Sequence, residues 1–106
     1  MEKGIFKYTF TPEINIEEVE STLLLAVYAA EGLHGRSSVS MDMRYYANHE
    51  KRYCVVDATT DIGRNVCQIF TEYLTRELGY DSFQVRRQSS NKPLATEIPS
   101  SDKHPD

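Results

Sequence analysis

Residues 57–79, DATTDIGRNVCQIFTEYLTRELG, constrain this chain more than any other stretch. They read as the end of a strand, a tight turn, and a long helix closed by a glycine. Ile62, Val66, Ile69, Phe70, Tyr73, Leu74 and Leu78 recur at steps of three and four, which draws one apolar stripe along a helix. Thr60 stands where a side chain can cap the first turn. Asp61 suits the positive end of the helix dipole, and Gly79 is a natural residue to end on. A helix with such a stripe must lie on an apolar surface, and the flanking segments supply strands to make one.

Those strands alternate. In 4–10, GIFKYTF, Phe6, Tyr8 and Phe10 fall on one side and Ile5, Lys7 and Thr9 on the other. Asn15 then opens a first helix, with Glu18 at capping-box spacing. Ile16, Val19, Leu23, Ala26, Val27 and Ala30 make its buried stripe. Gly32 is expected to close it, with Leu33 folded back on its last turn. After a loop at 35–37, residues 38–46, SVSMDMRYY, alternate cleanly enough to predict a second strand with Val39, Met41, Met43 and Tyr45 on one face. Residues 47–51 read as a hairpin turn and 52–58 as a third strand. Cys54, Val56 and Ala58 are placed inward there, because the opposite register buries Asp57. Residues 82–87, SFQVRR, make a last strand with Phe83 and Val85 inward.

The order strand–helix–strand–strand–helix–strand is the split βαβ arrangement of the ferredoxin-like fold. It predicts an α+β domain over 1–88, with a four-stranded antiparallel sheet ordered 4-1-3-2 and both helices on one face. Residues 89–106 are rich in Ser, Pro, Asn and charge, without periodic apolar positions, and are expected to be a disordered tail. With 106 residues, one core is feasible without staples: a domain of this size buries roughly 60–68% of the surface its unfolded chain exposes. No apolar run reaches the ~20 residues of a membrane span, and no signal-peptide pattern follows Met1. Cys54 and Cys67 lie within apolar elements and read as reduced core thiols of a cytoplasmic protein.

The fold brings separated loops together. His34, Gly35 and Arg36 should meet residues 57–64 at one end of the sheet, along with Lys3, Arg86 and Arg87. That neighbourhood is basic in a chain of net charge -4. A small phosphorylated anion fits there, held by Thr59, Thr60, Gly63, Arg64, His34 and Arg36 at the N-terminus of the second long helix. The competing reading makes Thr60 and Asp61 simple caps, pairs Arg64 with Asp61 or Asp57, and gives Gly63 the role of close packing on the sheet. TTDIGR lacks the P-loop pattern. The sheet face without helices offers a second surface, with Arg44, Tyr46, Tyr53 and Val55 as candidate contacts in a homodimer or with another protein. Edge strand 2 offers a third, by extending the sheet into a partner.

Other classes fit poorly. RNA-recognition motifs share the element order but need aromatics on the open faces of strands 1 and 3, whereas Phe6, Tyr8 and Phe10 point inward. Nucleic acid is further disfavoured by a pI near 5.3. Acylphosphatases share the fold but carry a Gly/Arg phosphate loop after strand 1, which 11–15, TPEIN, does not resemble. No G-x-S-x-G, H-E-x-x-H or C-x-x-C occurs, and His34, His49 and His104 lack ligand spacing. The expectation is therefore a non-enzymatic interaction or assembly module, homodimeric, without metal or cofactor. The alternative is a regulatory domain that binds a small anion.

Overall fold

The computed structural model describes residues 4–88. The domain boundary at 88, the expected tail, Lys3 and His104 lie at or outside the limits of that description. Strand β1 (Ile5–Phe10) leads into helix α1 (Ile16–His34), short helix α2 (Arg36–Asp42), strands β2 (Tyr45–Asn48) and β3 (Tyr53–Asp57), helix α3 (Asp61–Leu78) and, after a 3-10 turn, strand β4 (Phe83–Gln88). The sheet is antiparallel throughout, in the order β2-β3-β1-β4, with β2 and β4 at its edges. Counted from the β4 edge, that order is 4-1-3-2.

The helix-side core follows the two periodicities. Phe6, Tyr8 and Phe10 of β1, with Cys54 and Val56 of β3 and the neighbouring Ala58, face the stripes of α1 and α3. Phe70 and Leu74 of α3, and Leu23 of α1, are fully buried. Asn15 caps α1 by accepting from the Glu17 and Glu18 amides, and Thr60 caps α3 by accepting from Gly63 N. Gly79 ends α3 with φ 86°, in the left-handed region that favours glycine.

Three expectations about element boundaries need correction. First, residues 36–42 are helical, so the second strand shrinks to Tyr45–Asn48 and Ser38, Ser40, Asp42 and Arg44 leave the sheet. The reason is that Val39 and Met43 stand four apart. One helical turn therefore buries both against the core, while Met41, which a strand would have placed beside them, is 76% exposed. Second, α1 runs past Gly32 to His34 and is closed by Gly35, whose N–H bonds Glu31 O at 2.9 Å. Leu33 does not fold back and is exposed. Third, Ala47 and Asn48 belong to β2, and the turn occupies 49–52. Asn48 organises it: its Oδ1 accepts from Lys51 N at 2.8 Å and its carbonyl from Arg52 N at 2.9 Å.

The other sheet face carries a second, smaller cluster of Ile5, Tyr53 and Val55, with Tyr46 packed on it. Tyr53 and Val55 were expected to be exposed there and are instead buried. Neighbouring side chains lie against Tyr53: Lys7 Nζ stands 4.3 Å from its ring centroid, and the Tyr46 ring is 6.3 Å away.

Candidate functional site

The basic end is assembled from the elements that the crossovers bring together. His34 ends α1, Arg36 begins α2, and Thr59–Arg64 spans the turn into α3. Their contacts are mutual. His34 Nε2 lies 2.6 Å from Asn65 Nδ2, joining α1 to α3. Thr60 Oγ1 accepts from Gly63 N at 2.9 Å and donates to Asp42 O at 3.0 Å, so one hydroxyl caps α3 and fastens the end of α2. Asp57 Oδ1 accepts from both the amide and the hydroxyl of Thr59, at 2.9 and 2.6 Å. Arg64 donates to Asp61 Oδ1 and, at 3.5 Å, to Thr59 O. Arg36 is exposed.

Gly63 is present for close approach: a Cβ there would overlap the backbone carbonyl oxygen of Asp57. The positive end of α3 already faces the Asp61 carboxylate, and the Arg64 guanidinium reaches the same group. Six residues named for an anion site are thus drawn to one end of the sheet. The hydroxyls and the arginine fork of the α3 turn are engaged in fastening α2, β3 and α3 to one another.

The remaining chemistry is quiet. Both cysteines are free thiols and fully buried. Burial pushes Cys54 up to about 12 and also raises Cys67, so neither is a thiolate near neutral pH. Tyr8, buried between β1 and α3, is raised by desolvation and by its contact with Cys67. Its hydroxyl lies 2.8 Å from Cys67 Sγ and 2.7 Å from Thr71 Oγ1. Among the described residues, no group of three or more His, Cys, Asp or Glu is placed to hold a metal ion, and no helix is long and apolar enough to cross a membrane.

The sheet-face residues divide. Tyr53 and Val55 are enclosed, Tyr46 is half-buried beside them, and Arg44 is exposed one residue before β2. The two sheet edges differ more sharply. Edge β4 carries Gln84, Arg86 and Arg87 exposed along its length, and Val85, expected to be inward, is 41% exposed among them. Edge β2 reads YYAN, with no charge and no proline, and Tyr45 is exposed. Asp57 N donates to Arg44 O at 2.9 Å just ahead of β2, which fixes the phase of the β2–β3 ladder. Alternation along the antiparallel ladder then turns the N–H and C=O of Tyr45 and Ala47 toward the open edge. Tyr45 was not among the candidate contacts. Its signal was in the sequence, as an uncharged strand, but reading 38–46 as one strand hid which four residues form the edge.

No protein-family model, curated protein or solved structure matches this chain.

Proposed function

We propose that this protein is a non-enzymatic assembly module of ferredoxin-like architecture, in which α2 is added between the first helix and the second strand, and that it self-associates through β2. The contrast between the two edges carries this reading. Sheets in natural proteins shield their edges with charge, proline or cover. Edge β4 is shielded, because a second copy of β4 would bring arginines together over the same stretch. Edge β2 has no such device and presents the unpaired backbone groups of Tyr45 and Ala47.

An antiparallel pair of β2 strands about a two-fold axis at Tyr46 sets Tyr45 opposite the partner's Ala47 and Ala47 opposite the partner's Tyr45. Both outward-facing positions then pair, and the contact closes as a dimer rather than a filament. Two half-buried Tyr46 rings meet on the helix-free face. Reduced, buried thiols are compatible with a cytoplasmic setting. The in-chain pairing of Arg64 and Thr60 makes the small-anion alternative the weaker reading.

Sedimentation velocity over a wide concentration range tests the reading, with wild type beside Ala47→Pro. Proline at Ala47 removes a donor that faces solvent and leaves the β3 side of the ladder intact. The expected result is a concentration-dependent dimer for wild type, and a monomer with unchanged circular dichroism for the variant. A monomeric wild type at every concentration, or an equally dimeric Ala47→Pro, overturns it.

A further inference from the structure

We infer that the groove between the first turns of α1 and the last turns of α3 is a docking site for a basic, aliphatic segment of a partner protein. It lies at the opposite end of the sheet from the α3 N-terminus and is independent of the β2 edge. The helices run antiparallel here, so the start of α1 stands beside the end of α3, and the loop from β1 closes the cleft. The cavity measures about 260 Å³. That is below the ~300–1,000 Å³ of most small-molecule pockets and suits one or two anchoring side chains.

Its floor and its rim call for different chemistry. Val19, Leu74 and Leu78 make an apolar floor, of which Leu74 is fully buried. Glu13, Glu18 and Glu77 stand around it. The ion pairs described, His49–Glu20 and Arg64–Asp61, do not involve Glu18 or Glu77. The carboxyl of Glu13 is lowered from its ordinary value, chiefly by its own backbone N–H and with Arg52 nearby, so it stays ionised.

One carboxylate is held in place. Thr22, the buried polar residue of α1, has its hydroxyl 3.0 Å from Glu18 O and 3.1 Å from Glu77 Oε1. The Thr22 hydroxyl has one proton for these two acceptors, and its contact with Glu77 brings an α3 carboxylate to α1 at the groove wall. A lysine or arginine that lays its methylene stem on the floor and its charge on that rim satisfies both surfaces. An acidic or purely apolar segment satisfies only one. The occupant is thus a segment in which basic and leucine-like side chains alternate on one face.

The probe is a fluorescein-labelled peptide of leucine and lysine in helical amphipathic spacing, with a version carrying glutamate in place of lysine. Fluorescence anisotropy follows binding to wild type, to the isosteric double variant Glu18→Gln/Glu77→Gln, and to Glu72→Gln, which removes an exposed α3 charge away from the groove. The expected result is saturable binding of the lysine peptide, weakened roughly tenfold or more in the double variant and unchanged in Glu72→Gln. The glutamate peptide should not bind. Absence of saturable binding overturns the assignment. Equal weakening in Glu72→Gln also overturns it, because attraction would then follow overall acidity rather than this groove.

Discussion

Arg52, in the turn between β2 and β3, donates its guanidinium to the carbonyl oxygens of Thr11, at 2.9 Å, and of Ile14, residues that precede α1. One side chain therefore ties the hairpin to the loop that launches the first helix. Its backbone is in the left-handed region, with φ 62°, which a non-glycine residue adopts at a cost. The side chain offsets that cost by satisfying the Ile14 carbonyl and adding a second donor to the Thr11 carbonyl, which already accepts from Ile14 N at 3.1 Å.

Arg52→Ala should destabilise the domain by about 2 kcal/mol, because charged hydrogen bonds are lost while the left-handed backbone is kept. Arg52→Gly loses the same bonds but relieves the backbone, and should recover roughly 1 kcal/mol of that loss. Urea titrations of the two variants check this. An alanine variant at least as stable as the glycine variant would show that the turn relaxes out of its left-handed conformation.

Gly63→Ala should destabilise by at least about 1–3 kcal/mol, since a methyl there meets backbone rather than a movable side chain. Helix propensity alone predicts the reverse, a gain of roughly 1 kcal/mol from replacing a helical glycine. The sign of the change in melting temperature therefore decides whether α3 is held tightly to the end of β3.

Phe70→Ala should cost about 3–5 kcal/mol, from lost transfer energy and the cavity left beneath α3. Phe70 is fully buried, with its ring 4.9 Å from that of Tyr8. A cost under about 1 kcal/mol, read from denaturant unfolding, would mean that another face of α3 is the buried one. Tyr8→Phe should cost only about 1 kcal/mol, because Thr71 still donates to Cys67 O at 2.8 Å when the phenol is gone.

Stability should fall in alkali. A thiol in the unfolded chain ionises near pH 9, whereas burial pushes Cys54 to about 12. Its folded value is the higher one, so its contribution is intact below about pH 9 and is lost as pH rises toward 12. The loss has a slope of at most ~1.4 kcal/mol per pH unit. Urea midpoints at neutral pH and near pH 10 check this, with Cys54→Ala expected to show a shallower decline. Both thiols should resist alkylation in the native protein and react on unfolding.

Most of the main framework was legible along the chain. The stripes of α1 and α3 have a period that only a helix buries, and the alternation in β1 and β3 assigns Tyr8 and Cys54 to the helix side. Thr60, Asn15 and Gly79 act as caps because capping is local, decided within a few residues. Arg64 found Asp61 for the same reason, three positions away on one helix. The SVSMDM segment was not legible, because alternation and four-residue spacing coexist in it. Its conformation was decided by where the core could accept Val39 and Met43 together. The burial of Tyr53 and Val55 was equally out of reach, since it depends on which side chains from neighbouring strands lie over them. The acidic groove joins Glu13 and Glu18 to Glu77 across more than half the chain. Sequence periodicity determined which faces of α1, α3, β1 and β3 meet in the helix-side core. Long-range packing alone decided which strand edge, which face and which charges it leaves exposed, because those depend on what each surface meets in space.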